Sequence, residues 1–398
     1  MPDKKTETQS LADKYMFQTY GRFPITLIRG EGCRVWDEEG REYIDFVGGI
    51  AVCALGHSSP IVSKVLEEQS RKLVHVSNLY YTRPQVDLAR LLVENSFADR
   101  VFFCNSGAEA NEAAMKLARR YSHGKSGGHR YKIISMKGSF HGRTMATLSA
   151  TGQDKVKKGY DPLLDGFKFV PFDDIPALEA AVDDSVCAVM LEPIQGEGGV
   201  ICPHPDYLHE VRRVCDQKGM LLIFDEVQSG MGRTGKLFAH EHYGVTPDIM
   251  TLAKALGNGL PIGAMLATEE LSSAFGPGSH ATTFGGTPLV TAVAGAVLKS
   301  LLHDGWLDNC LEMGAYLKDR LAELKKKYTF IREVRGMGLI LGMEMDRDGS
   351  PVVTACMEKG FLINCAQERV LRFIPPLIIG KEEIDLLIGT LNDVLGRL

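Results

Sequence analysis

Two stretches decide how this chain is built, MLLIFDEVQ at residues 220–228 and DIMTLAKALGNG at residues 248–259. Each is a brief apolar run that stops abruptly at charged residues. The runs at 220–224 and 249–252 have the length and composition of strands buried on both faces of a sheet. Working outward, the runs at 101–104, 131–136 and 187–191 share this form, and helix-length segments separate them. Strands alternating with helices predict an α/β fold with a mostly parallel central sheet covered by helices. Ligands of such sheets bind beyond the carboxyl ends of the strands. The unusual polar clusters of this sequence lie at those ends.

After the first run, Ser106-Gly107-Ala108-Glu109 fits a capping box that opens a helix over 110–121. Residues 121–132 are polar and glycine-rich and read as a surface loop. The character changes towards the carboxyl end: 309–328 is a long amphipathic helix, 331–345 and 370–374 are strand-like, and 381–398 is a final helix. Near the start, 35–46 reads as strands around a turn at Glu38-Glu39-Gly40, placed to pack with the C-terminal part. The expected division is an N-terminal segment of a smaller α+β domain (1–60), a large domain (61–300) and the rest of the smaller domain (301–398).

A composition of 44% hydrophobic and 24% charged residues is that of an ordinary soluble globular protein. The net charge of -5 argues against a general nucleic-acid binder, because phosphate attraction needs a basic surface. It leaves room for a local basic pocket. Residues 1–13 lack the apolar core of a secretory signal, and the longest apolar run, 289–298, ends at Lys299, too short to span a bilayer. Nine cysteines without a C-x-x-C pair suit reduced thiols. A cytoplasmic enzyme with no membrane partner is expected.

The chemistry gathers at the strand ends. Lys254 sits between an apolar run and the glycines 257, 259 and 263. A partly desolvated lysine loses affinity for its proton and attacks an aldehyde. Alone, the same residue reads better as a lysine that snorkels to the surface. Asp225 ends its run and can pair with a pyridinium nitrogen, keeping the ring an electron sink; it can also cap a helix or hold a metal. Ser106, Gly107 and Ala108 sit where a helix N-terminus offers backbone N–H groups to an anion, or where an ordinary helix is capped. In SFHGR (139–143), Phe140 can stack on a flat cofactor and Arg143 can grip a carboxylate through paired hydrogen bonds. The plain alternative is a loop with a buried Phe and a surface Arg. Glu192 and Glu197 stand among glycines in EPIQGEGG (192–199); paired carboxylates also serve glycoside hydrolysis, but two tryptophans make a poor sugar cleft. GMGRTGK (230–236) mimics both a dinucleotide fingerprint and a P-loop, yet Leu237 stands where the P-loop needs Ser or Thr, so it reads as a loop. His240-Glu241-His242 lacks the four-residue spacing of a zinc helix, and no metal is expected.

Taken together, these pieces resemble the class III (ω-amino) aminotransferases, a branch of the fold type I pyridoxal-phosphate enzymes. The resemblance runs from YGRFP (20–24) to RFIPP (372–376). It rests above all on Asp225-Glu226-Val227-Gln228 followed by Lys254 in AKALG (253–257), with RGEG (29–32), DFVGGIAV (45–52), 192–200 and 224–235 matching as well. It implies that Lys254 is the Schiff-base lysine and proton carrier for pyridoxal 5'-phosphate. Asp225 would face the pyridine nitrogen, Gln228 the ring hydroxyl, and Val227 and Phe140 the two ring faces. Ser106, Gly107 and Ala108 would hold the phosphate. Thr283 would reach that phosphate from the partner subunit of a homodimer whose active sites lie at the interface. Tyr20 and Thr282 would lie by the substrate, Arg372 would bind the α-carboxylate of glutamate with Glu197 as its neutralising partner, and Arg143 would hold the far carboxylate. Departures are few: Ala108 for threonine, Thr282 for serine, Thr287 for asparagine, and Ile50 where free-ornithine enzymes tend to carry tyrosine.

The activity implied moves the terminal amino group of N2-acetylornithine to 2-oxoglutarate, giving N-acetylglutamate 5-semialdehyde and glutamate, a step of arginine biosynthesis. Succinylornithine, succinyldiaminopimelate and 4-aminobutyrate are alternative donors. Outside the class stand a nicotinamide-dependent oxidoreductase, on the strength of residues 230–235, and a non-catalytic cofactor-binding protein.

Overall fold

The computed structural model describes residues 5–398. Its centre is a seven-stranded sheet in the order Arg100–Cys104, Gly263–Ala267, Ile249–Leu252, Leu221–Asp225, Val186–Leu191, Lys132–Met136, Phe167–Val170. Pairing is parallel from Ile249–Leu252 to Phe167–Val170, whereas Gly263–Ala267 runs antiparallel to both neighbours. Every residue of Val186–Leu191 is buried, as expected for a strand covered on both faces. Two strands carry no clear sequence signal. Gly263–Ala267 is short and has no β-branched or aromatic residue, and Phe167–Val170 is an edge strand with a lysine in it.

The helix opened by Ser106 runs over Gly107–Ser126, longer than the 110–121 expected. The glycine-rich stretch 121–132 is therefore mostly helix, ending at Gly127 with φ 67°. Lys125 lies in its last turn, where a cation meets the negative end of the helix dipole. Gly124 weakens the helix by about 1 kcal/mol, too little to offset a buried stripe that includes Ala110, Ala113, Ala114, Leu117 and Ala118. The capping box is also displaced by one residue. Ser106 Oγ accepts the Glu109 N–H at 3.2 Å, but the Glu109 carboxylate returns to the N–H of Asn105 at 2.7 Å.

The apolar run 289–298 lies in helix Pro288–His303, whose Val293, Ala294, Val297, Leu298 and Leu301 enter the main core. Among the described residues, no helix is long and apolar enough to cross a membrane. Towards the carboxyl end, Ile331–Met337, Ile340–Met345, Val370–Phe373 and Asn364–Ala366 form an antiparallel sheet contacted by helices Trp306–Lys327 and Ser350–Glu358, on which helix Lys381–Leu395 packs. The last helix stops three residues short of the expected 398. The N-terminal strands Leu27–Glu31, Arg34–Asp37 and Glu42–Asp45 make a third sheet, closed by Phe361–Leu362 lying parallel to Glu42–Asp45.

Just after Glu42–Asp45 the backbone turns left-handed over four residues, with φ of 56°, 65°, 65° and 60° at Gly48, Gly49, Ile50 and Ala51. The two non-glycine residues cost roughly 1–2 kcal/mol each in this conformation. Tertiary packing offsets that cost: Ala51 is buried with Ile194, Val200, Ile340 and Ile374. Asp45 Oδ1 accepts the N–H groups of Val47 and Gly48 at 2.8 and 3.0 Å, and its Oδ2 lies 2.8 Å from His57 Nε2. The hydrogen bond to Asp45, aided by Cys53, pushes the His57 pKa up to about 10. This braced turn delivers Val52 to the wall of the main cavity.

Candidate active site

A cavity of about 470 Å³ opens at the carboxyl ends of the central strands, lined by Ser106, Phe140, Arg143, Glu197, Asp225 and Lys254 among others. Lys254 enters it one residue beyond Ile249–Leu252 and its adjoining Ala253. Its backbone is left-handed, φ 47°, a strain typical of functional positions. Burial pulls the Lys254 pKa down; Glu197, Asp225 and Glu192 oppose this, and Arg372 adds to it. A lysine with a weakened hold on its proton is the nucleophile an aldehyde requires.

Asp225 is the last residue of Leu221–Asp225 and is 4% exposed. Its Oδ1 accepts the Val227 N–H at 3.0 Å. Its Oδ2 accepts Asn111 Nδ2 at 2.7 Å and lies 2.8 Å from His141 Nδ1. Thr251 Oγ1 donates to Asn111 Oδ1 at 2.7 Å, and Asn111 Nδ2 also reaches the His141 carbonyl at 2.8 Å. Asn111, His141 and Thr251 are buried polar residues that the sequence reading did not select. The available signals were Thr251 inside an apolar run, His141 beside Phe140, and Asn111 one turn beyond Gly107 on a buried helix face.

At the start of helix Gly107–Ser126, the N–H groups of Gly107 and Ala108 find no acceptor among the described residues. The displaced capping box leaves this end open towards the cavity. A Cβ on Gly107 would come within 2.7 Å of Val227 Cγ1, so only glycine lets the helix end approach this wall. Phe140 lines the cavity, and its N–H donates to Glu192 Oε2 at 3.0 Å. Burial, then the nearby Asp225, push the Glu192 carboxyl well above the usual carboxylate range.

Arg372, on Val370–Phe373, is 2% exposed and donates Nη1 to Glu197 Oε1 at 2.6 Å and Nε to Asn364 Oδ1 at 3.2 Å. Gln228 Nε2 donates to the same Glu197 oxygen at 3.2 Å. Burial pushes the Glu197 carboxyl up, but Arg372 and Lys254 outweigh it and hold it below its ordinary value. Arg143 stands exposed at the rim, its guanidinium 5.4 Å from the centre of the Phe140 ring and without a carboxylate within 4 Å among the described residues. Thr282 Oγ1 accepts Asn105 Nδ2 at 3.1 Å, which ties it to a cavity residue. Tyr20 and Thr283 are not brought to the cavity. Tyr20 is 71% exposed with Arg22 over its ring, and Thr283 lines a separate small cleft with Asn78 and Gln85. Residues 230–236 fall in a run of turns, and the buried Arg233 there donates to the carbonyls of Leu339 and Pro375.

The donor set fits one kind of ligand: unpartnered helix N–H groups for a phosphate, a buried carboxylate for a ring nitrogen, and a lysine for an aldehyde. Together with the mostly parallel sheet, this site defines a fold type I pyridoxal-phosphate-dependent aminotransferase. The chain belongs to the class-III aminotransferases, whose family model matches residues 15–395. It is 55% identical over 386 residues to the acetylornithine aminotransferase of Caldanaerobacter subterraneus subsp. tengcongensis, covering 97% of this chain and 98% of that one. The ornithine aminotransferase of Toxoplasma gondii overlays with a TM-score of 0.95 at 36% identity, covering 99% of this chain and 96% of that one. The N-acetylornithine aminotransferase of Stenotrophomonas maltophilia overlays with a TM-score of 0.83 at 41% identity, covering 98% of each.

Proposed function

We propose that this chain transfers the terminal amino group of N2-acetylornithine to 2-oxoglutarate, yielding N-acetylglutamate 5-semialdehyde and glutamate. The observation that carries the reading is the pairing of two arginines in opposite states. Arg372 is buried and masked by Glu197 at 2.6 Å, while Arg143, beside the Phe140 ring, has no carboxylate partner among the described residues. Overlay alone does not choose the donor, since the ornithine enzyme superposes with the higher TM-score, 0.95 against 0.83. The 55% identity to an acetylornithine enzyme and the isoleucine at position 50, where free-ornithine enzymes tend to carry tyrosine, favour the acylated donor.

Bound pyridoxal phosphate supplies a carbonyl for the amine and a ring that accepts the electron pair released from the substrate. Gly107 and Ala108 would hold its phosphate by backbone N–H, with Ser106 capping that helix end. Asp225, oriented by Asn111 and His141, would face the ring nitrogen. Gln228 would reach the ring hydroxyl, and Val227 and Phe140 would confine the ring. Lys254 would take the proton from the substrate carbon that bears the amine and return it to the cofactor carbon that bore the aldehyde, a task its lowered pKa suits. Arg143 binds the carboxylate remote from the reacting amine in both substrates. Glu197 covers Arg372 while an ω-amine enters, because a bare guanidinium repels an ammonium group. It turns aside when glutamate brings an α-carboxylate that needs Arg372.

The site is completed, on this reading, in a homodimer. Phe17, Leu79, Tyr80, Tyr81 and Phe284 are 92%, 81%, 67%, 99% and 63% exposed, a surface that a second copy would cover. Thr283, beside Phe284, would then reach the neighbour's phosphate. A cytoplasmic setting accords with nine cysteines, all of them unpaired thiols.

A panel of donors against 2-oxoglutarate tests the assignment. N2-acetylornithine should give the highest kcat/KM, above succinylornithine, succinyldiaminopimelate, 4-aminobutyrate and ornithine. Arg143→Ala should lower kcat/KM for acetylornithine and for glutamate alike by about ten- to a hundredfold, the loss of a charge-assisted pair of about 1.5–3 kcal/mol. Another donor clearly outrunning acetylornithine would overturn the substrate assignment.

A further inference from the structure

Glu197 can mask Arg372 only while the two charges stay in register, and the loop that bears Glu197 is poorly suited to hold still. Gly196, Gly198 and Gly199 surround it, and Gly199 and Val200 adopt φ of 107° and 55°. Left to itself such a loop would sample many conformations. Two side chains from distant parts of the chain hold it. Arg335, on Ile331–Met337, donates Nε to the carbonyls of Gly199 and Val200, both at 3.1 Å, and Nη2 to Gly199 at 2.8 Å. Its Nη1 is fixed by Glu333 at 2.7 Å and by Glu344. Gln367 donates Nε2 to the carbonyl of Glu197 itself at 2.8 Å. The base of the loop is closed by reciprocal backbone bonds of 3.0 Å between Gln195 and Ile201.

Arg335 and Arg372 lie on strands of the same antiparallel sheet, and Gln367 lies in the turn that leads into the strand of Arg372. The backbone of the mask and the cation it covers are therefore tied to one rigid element. Unmasking then needs only rotation of the Glu197 side chain.

We propose that Arg335 and Gln367 are positioning residues that set the balance between the masked and bare states of Arg372, and so the choice between an ω-amine and an α-amino dicarboxylate. The proposal rests on the masking role of Glu197 given above. The masked state requires an ordered Glu197 backbone, and the bare state does not. Freeing the loop raises the entropy lost on masking and shifts the balance towards bare Arg372. That shift harms the amine donor and spares glutamate, although neither anchor touches a substrate.

The test is single-turnover kinetics of both half-reactions on the holoenzyme, with wild type, Glu197→Gln, Arg335→Met and Gln367→Ala. All three variants should move the ratio of kcat/KM values towards glutamate. The shift should be about fivefold or more for Arg335→Met and about two- to threefold for Gln367→Ala, whose bond is solvent-exposed. Bound-cofactor absorbance should be retained. If Glu197→Gln separates the half-reactions while the anchor variants slow both equally or neither, the positioning role is overturned and masking stands. If Glu197→Gln leaves the ratio unchanged, masking has failed and the positioning role falls with it. Should Arg335→Met not fold, the ratio for Gln367→Ala decides.

Discussion

Lys254 combines conditions that seldom meet in one side chain: a strand end, a left-handed backbone, a cavity wall and a depressed pKa. Its burial disfavours the charged form, and that sets it apart from a surface lysine of the same sequence context. Lys254→Ala should fold, lose covalent attachment of the cofactor and lose nearly all turnover. Borohydride treatment followed by mass analysis checks this, since reduction should fix the cofactor on the wild type alone. Wild-type-like turnover in the variant would remove Lys254 from the mechanism. Lys254 and Asp225 were legible in the sequence because each ends an apolar run, so a local pattern marks it. Asn111, His141 and Thr251 were not, because their bonds to one another and to Asp225 span up to 140 residues of chain. A buried asparagine or threonine becomes recognisable only once its partners are in place.

At the scale of elements, the left-handed turn at Gly48–Ala51 shows how a costly backbone is kept. Asp45 caps the turn with one carboxylate oxygen and holds His57 with the other. The folded-state pKa of His57, about 10, lies above its ordinary 6.5, so the bond contributes fully below pH 6.5 and is lost as pH rises through about 10. Wild-type thermal stability should therefore decline between about pH 7 and pH 10 by more than that of His57→Gln, a difference of at least ~2 °C. Parallel slopes for the two proteins across this window would exclude the role. The sequence reading took Gly48-Gly49 only as part of a family resemblance, and the left-handed state of Ile50 and Ala51 was not legible, because packing rather than local preference imposes it. The helix Gly107–Ser126 was misjudged for the opposite reason. Its glycines and polar residues predict a loop, and a buried alanine-rich stripe overrides them.

For the whole molecule, the central sheet was readable from alternating runs, but what the surface does was not. Tyr20, Thr283 and Phe284 are exposed in a single chain, and the homodimer proposed above would cover them. Thr283→Ala should leave assembly intact and weaken retention of the cofactor by about three- to tenfold, the loss of one hydrogen bond. Light scattering with cofactor titration measures both. An active monomer that binds cofactor fully would refute the shared site.

The sheet that joins Glu42–Asp45 to Phe361–Leu362 has a consequence for synthesis on the ribosome. Glu42–Asp45 is translated well before the strand that covers its open edge, with residues 46–360 between them. While that interval is being made, the open edge of Glu42–Asp45 presents unpaired backbone groups, an invitation to pair with the wrong chain. Domain-by-domain folding during translation is thereby closed to this part of the protein. A ribosome stalled before residue 361 would release a chain with that edge bare, a product suited to capture by chaperones or to aggregation.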